Sequence, residues 1–196
     1  MNILRQERTI DRTNWLSGEW DNEPDLIEWR DEATGLACLI VRARFNLCGY
    51  VGVPHRHPMF GKEYDSVDVE VHGGLTFGGS CHGRICHTPQ AGEGEVWWFG
   101  FDCAHAFDYS SGHYALTLRC KEGLFMPQAF ESYRNVAYVT GEVTNLARQL
   151  AQLGPNPETK CPTCPAGMEP LLTAVFCEHC DRWICQDCYD FGDEHM

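Results

Sequence analysis

LACLIVRARFNLCGYVGV, residues 36–53, is the stretch on which the fold class turns. LACLIVRARF (36–45) and GYVGV (49–53) are short runs rich in Leu, Ile and Val, and they read as extended strands. EVWWFGFD (95–102) and HYALTLRC (113–120) are assigned as strands too. VDVEVHGGLTF (67–77) has the form of a hairpin: valines alternate with Asp68, Glu70 and His72, and Gly73-Gly74 suits the φ > 0 positions of a tight turn. With that turn His72 would pair with Leu75 and Glu70 with Phe77. One face would then carry acids, an imidazole and a large aromatic, which favours a lined pocket over an open face.

Between these runs, VPHRHPMFGKEYD (53–65) and the glycine-rich GGSCHGRICHTPQAGEGE (78–95) read as loops. Residues 1–35 form a polar segment anchored by Trp15, Trp20 and Trp29, with a turn at ATG, 33–35. After MPQAFESY the period changes: Val136, Val139, Val143, Leu146, Leu150 and Leu153 recur every three or four residues, the mark of an amphipathic helix. Gly141 interrupts it, and Gly154 with Pro155 ends it. The expected architecture is α+β: a mixed, largely antiparallel β domain with a C-terminal helix (1–153), a linker (154–160) and a small zinc-binding module (161–196).

The chain has 196 residues, 43% hydrophobic and 12% aromatic, a globular composition. Its net charge of −13 argues against a phosphate-gripping surface for nucleic acid. Acids are dense early on, at Asp11, Glu19, Asp21, Glu23, Asp25, Glu28, Asp31 and Glu32, and a solvated face is expected there. No apolar run approaches the roughly 20 residues that span a bilayer, and the first residues carry no signal-peptide core. A soluble cytoplasmic protein is expected, without a membrane partner. In that compartment the 12 cysteines are expected as thiols and metal ligands rather than disulfides.

Six of the cysteines fall in CPTCPAGMEPLLTAVFCEHCDRWICQDC (161–188). Each C-x2-C pair can present two thiolates to one ion, and Zn²⁺ takes four N or S ligands. A module this small buries too little surface to fold alone, so one or two structural zinc ions are expected to stabilise it. A plain zinc ribbon would use Cys161, Cys164, Cys177 and Cys180. The spacing also resembles the cross-braced double-zinc fingers of the FYVE and ZZ type. That resemblance implies one site at Cys161, Cys164, Cys185 and Cys188, and a second at Cys177 and Cys180 completed by further ligands such as His195. The usual fourth pair is absent, and so is a basic phosphoinositide motif. The sequence leaves both pairings open.

Three segments gather polar residues in the first domain. VPHRHPMFGKEYD holds His55, His57, Lys62, Tyr64 and Asp65; VDVEVHGG holds Asp68, Glu70 and His72; FGFDCAHAFD spaces Asp102, His105 and Asp108 three apart at the end of a hydrophobic strand. Strand ends are where functional groups are commonly mounted, and imidazoles with carboxylates either ligate a divalent metal or act as acid–base pairs. The plainer readings are a wet hairpin face for the second segment, turn and capping chemistry for the third, and a simple loop for His55 and His57. CHGRICH (81–87) reads as a surface loop. No phosphate-binding loop, dinucleotide fingerprint, nucleophile elbow or H-E-x-x-H motif is present.

GYVGVPHRHPMFGKEYD, VDVEVHGGLTF and WWFGFDCAHAFD together resemble a family of uncharacterised proteins widespread in bacteriophage genomes. The resemblance spans about residues 48–110. It implies a phage origin and work in the bacterial cytoplasm, and carries no activity with it.

Three functional expectations follow. The first is metal-assisted hydrolysis of a small anionic or nucleotide-like molecule: Glu70, His72, Asp102 and His105 catalytic, Lys62, Tyr64, Asp68, Gly73, Gly74 and Asp108 binding, with a second divalent metal in the β domain. The second is sequestration, without turnover, of a host immune-signalling nucleotide. The third is a zinc-module interaction protein docking on a host enzyme.

Overall fold

The computed structural model describes residues 2–55, 57–88, 94–120 and 130–154, and two short strands beyond them. One sheet organises the first domain. It contains β1 (Asn2–Glu7), β2 (Leu26–Arg30), β3 (Ala37–Ala43), β4 (Asn46–Pro54), β5 (Phe77–Ser80) and β6 (Val96–Asp102). The order is β1-β2-β3-β4-β6-β5, with every neighbouring pair antiparallel. Helix α1 (Ser111–Cys120) follows β6, and α2 (Val136–Leu153) closes the domain.

Antiparallel sheets commonly wet one face, which gives alternating sequence. β3 is near-continuously apolar because both its faces are covered. On one face Cys38 and Ile40 join Val51, Val53, Phe99 and Phe101 under Val139, Val143, Leu146 and Leu150 of α2. On the other, Leu39 and Val41 join Leu26, Tyr50 and Trp98. Burying a side chain such as Leu or Phe is worth roughly 1.5–3 kcal/mol, so these layers dominate the domain's stability. Gly49 lets α2 approach: a Cβ there would lie 2.5 Å from a Val143 methyl. The side chain of Asn135 caps α2 by accepting the Tyr138 N–H, and Gly154 follows its end.

The helix is where its periodicity put it, but it runs unbroken through Gly141, which was expected to interrupt it. Several other expectations are corrected. HYALTLRC is helical, within α1: Tyr114 and Ala115 are buried while Leu116 and Leu118 are exposed, so its apolar alternation did not mark a sheet face. Residues 1–35 contribute two strands. Asp25, Glu28 and Asp31 are buried instead of solvated, with Asp25 and Glu28 meeting arginines brought in by the fold. His57 is also buried. Its Nε2–H donates to Leu150 O at 2.9 Å, and Nδ1 accepts the Met59 N–H, so this loop residue anchors α2.

VDVEVHGGLTF forms no hairpin. Only Phe77 enters the sheet, and it pairs with Gly100. The turn is one residue earlier than expected, closed by Gly74 N–H to Val71 O at 3.0 Å, with Gly73 at φ 67 in its third position. CHGRICH also departs from expectation. Cys81 and Cys86 are disulfide-bonded across a small bridge between His82 and Ile85. This segment helps cover the second face: Ile85 packs there, and Thr88 N–H donates to buried Glu28.

The two further strands, β7 (Ala174–Cys177) and β8 (Arg182–Cys185), pair antiparallel with Cys177 opposite Arg182 and Ala174 opposite Cys185. Cys161, Cys164, Cys180, Cys188 and His195, and with them the zinc geometry, lie outside the described residues.

Candidate functional site

The extended segment 67–72 carries its valines inward, with Val67 buried and Val69 and Val71 packed on the core beneath α2. Its backbone polar groups must find partners, and they find helix side chains instead of a strand. The amide of Gln149 accepts the Glu70 N–H at 2.8 Å and donates to Glu70 O at 2.8 Å. Asn145 donates to the same oxygen at 3.1 Å. Glu142 accepts the His72 N–H at 2.8 Å. Tyr138, Glu142, Asn145 and Gln149 thus form one stripe of α2 that holds the segment and delivers His72 to the helix's first turns.

His72 ends in a hydrogen-bonded chain. Its Nε2 lies 2.8 Å from Asp108 Oδ2 and its Nδ1 lies 3.0 Å from the Tyr138 hydroxyl. Asp108 also accepts from Arg134 Nε at 2.8 Å and from the His105 N–H at 3.1 Å. An ionised carboxylate only accepts, so Nε2 carries the hydrogen, and neutral His72 takes the Tyr138 O–H at Nδ1. The Asp108 side chain is 1% exposed. Burial pushes its carboxyl up, but the hydrogen bonds from Arg134, His72 and His105 outweigh burial and hold it below the usual carboxylate range. Burial first, and then the Glu142 carboxylate, push the Tyr138 phenol up, so it keeps its proton at neutral pH. The Arg134 guanidinium lies over the Tyr138 ring, 4.9 Å from its centroid.

His105 packs edge-on to His72, ring centroids 5.5 Å apart. Its Nε2 is buried, 3.8 Å from Asp102 Oδ1, and makes no hydrogen bond. The ring rests on Gly73, where a Cβ would come within 2.0 Å of Nε2. Next to Asp108, Phe107 adopts φ 76, an uncommon and strained conformation for a bulky residue. Ser132 pins it by donating its N–H to Phe107 O at 2.8 Å. The Phe107 ring meets that of Phe130 at 5.4 Å, and the two residues are 60% and 61% exposed.

His72, His105 and Asp108 therefore come together, with Gly73 beneath them and Asp102 at the rim. The side chains of Asp68 and Glu70 point to solvent, and of Glu70 only the backbone is engaged. Lys62 and Tyr64 are exposed near β5, where Lys62 O accepts the Trp97 indole N–H and Tyr64 N abuts Gly78. Gly74 closes the turn at φ 84. Cys103 is buried, and burial, reinforced by Asp108, raises its thiol pKa, which removes it as a nucleophile. Both His72 nitrogens are occupied, and among the described residues no group of three or more His, Cys, Asp or Glu is placed to hold a metal ion. Tyr138, Glu142 and Arg134 escaped the sequence reading. The signal was there in α2, whose polar positions 138, 142, 145 and 149 repeat at helical spacing beside the apolar stripe.

Comparison with known proteins supplies no relative: no protein-family model matches the chain, nor does any curated protein or solved structure.

Proposed function

We propose that the Asp108–His72–Tyr138 chain is a proton-transfer site acting on a small anionic, nucleotide-like molecule. The observation that carries the reading is the pair of hydrogen bonds fixing both nitrogens of His72, one to a buried carboxylate and one to a hydroxyl. Asp108 orients the imidazole through its hydrogen bond to Nε2. When His72 is cationic, Nδ1–H donates to the Tyr138 oxygen and the phenol proton is free to point at a ligand. A proton given up by Tyr138 is then replaced from His72. Arg134, held by Asp108, sets positive charge against the phenol ring. A hydrolytic role in this arrangement rests on acid–base chemistry at His72 and Tyr138.

The test is incubation of the full chain with a panel of nucleoside monophosphates, cyclic nucleotides and aryl phosphates. Turnover lost in both His72→Gln and Tyr138→Phe is expected. Turnover by both variants at the wild-type rate, or no turnover of any compound, overturns the catalytic reading.

A second reading is retention of a nucleotide-like molecule without turnover, supported by the exposed Phe107–Phe130 pair, which offers a stacking surface beside Asp108. Equilibrium dialysis that returns a nucleotide intact, with affinity lost in Phe107→Ala, would distinguish it from catalysis.

For residues 161–196 the proposal is structural zinc on the cysteine pairs. Six thiols form a soft donor set suited to zinc, and the β7–β8 strands end on Cys177 and Cys185. Metal analysis of the purified chain should find one or two zinc ions per molecule; none would overturn it.

A further inference from the structure

Residues 130–134 run beside Asp108, and their side-chain contacts alternate. Glu131 accepts the Tyr114 hydroxyl, and Tyr133 bonds Glu23 and Arg42. Phe130 and Arg134 instead meet Phe107 and Asp108. Ser132, between them, pairs with Asp108 in a parallel bridge: its N–H donates to Phe107 O at 2.8 Å, and its carbonyl accepts the Tyr109 N–H at 2.9 Å. Such alternation belongs to extended backbone, whose successive side chains point to opposite sides. Phe130 and Arg134 therefore share the side occupied by Phe107 and Asp108, at most about 14 Å apart along the chain.

Arg134 is held in place at one nitrogen only. Nε donates to Asp108, and the guanidinium rests over the Tyr138 ring. Among the described residues no acceptor meets Nη1 or Nη2, and the side chain is 26% exposed, so both groups are open to a ligand. A guanidinium fixed in this way presents two preorganised donor groups, which suit two oxygens of one phosphate. The neighbouring carboxylates are engaged, Asp108 by Arg134 and His72, and Glu142 by the His72 N–H. Phe107 supplies an independent observation. Its left-handed backbone, pinned by Ser132, turns a large apolar ring outward against the exposed ring of Phe130. Backbone strain of this kind clusters at ligand sites.

We infer that the ligand of this face is a nucleoside monophosphate, with its phosphate on Arg134 Nη1 and Nη2 and its base stacked on Phe107. The inference rests on the reading of this face as a site for a nucleotide-like molecule, and it adds the residue that recognises the phosphate. The cation and the exposed rings are set apart on one side of the 130–134 segment. An inorganic ion would use only the first and a neutral nucleoside only the second, whereas a nucleoside monophosphate uses both. Held on Arg134, the phosphate lies beside the Tyr138 side chain. The net charge of −13 disfavours a polyanionic strand as the source of that phosphate.

The experiment is equilibrium dialysis of the full chain against the common ribonucleoside monophosphates, with their parent nucleosides as controls. At least one monophosphate is expected to bind about tenfold or more tightly than its nucleoside, the scale of a hydrogen bond to a charged group. Arg134→Gln should abolish that preference and leave nucleoside affinity unchanged, while Phe107→Ala should weaken both. Binding of no monophosphate, equal binding of monophosphate and nucleoside, or an unaltered preference in Arg134→Gln overturns the inference. Should Arg134→Gln fail to fold, the guanidinium nitrogen resonances of wild-type Arg134 are followed instead. A shift with the monophosphate and none with the nucleoside supports the site, and no shift overturns it. A monophosphate bound but never turned over sinks the catalytic reading and leaves this one. Turnover of an aryl phosphate without binding of any nucleoside monophosphate does the reverse.

Discussion

The side-chain amide of Gln149 holds both main-chain polar groups of Glu70, each at 2.8 Å, and so stands in for a neighbouring strand. Gln149→Ala should cost about 1 kcal/mol, the usual net worth of such hydrogen bonds, and should speed hydrogen exchange at the Glu70 amide. Urea unfolding and amide exchange check it; unchanged exchange would mean that Glu70 is protected by something other than Gln149.

Gly73 carries two demands at once, φ 67 and contact with the His105 ring. Gly73→Ala should lose the roughly 1–2 kcal/mol of a left-handed alanine and more from collision with Nε2. Adding His105→Ala should recover only the collision part. Urea midpoints of the single and double variants separate the two contributions, and a Gly73→Ala protein as stable as wild type would refute both.

His57 supplies an acid-sensitive contribution. Burial lowers its pKa, although its hydrogen bond to Leu150 works the other way. As pH falls below about 6.5 the unfolded chain takes up a proton that folded His57 resists, so stability declines. Asp108 adds a lower window: its carboxyl is held below its usual range, so its contribution is present above about pH 4 and is lost as pH falls through the folded value. Urea midpoints measured from pH 7 to pH 5 should fall less steeply in His57→Gln, and an equal slope would count against a neutral buried imidazole.

Asp25 anchors two buried arginines and two backbone amides. Asp25→Asn should destabilise by about 3–5 kcal/mol, the scale for removing one partner of a buried ion pair. A loss under about 1 kcal/mol would show that the arginines find other compensation.

These residues also show what the sequence could and could not disclose. The alternation in VDVEVH marked the valines as one apolar face, because that depends on local backbone geometry, but the lined pocket expected on the other face did not follow, since Asp68 and Glu70 are exposed. It could not tell whether the backbone pairs with a strand or with Gln149, some 79 positions away. The periodicity of α2 was legible because a whole helical face is apolar. HYALTLRC misled because Tyr114, Leu116 and Leu118 alternate, yet the last two are exposed on a helix. Of the site, His72, His105 and Asp108 were legible as strand-end polar residues. Tyr138 and Arg134 were not, since their role depends on α2 folding back over the sheet. The burial of Asp25 was equally hidden, its partners Arg12 and Arg42 lying 13 and 17 residues away.

The bond between Cys81 and Cys86 makes the redox history of a sample a structural variable. It closes the short bridge from which Arg84 reaches the carbonyls of Asp25 and Arg42. In a thiol reductant that bridge relies on the two hydrogen bonds between His82 and Ile85, at 3.1 and 2.9 Å, which are exposed to competition from water. Preparations made with and without reductant are therefore chemically distinct molecules, differing beside the buried arginines, and their melting curves and titrations belong in separate series.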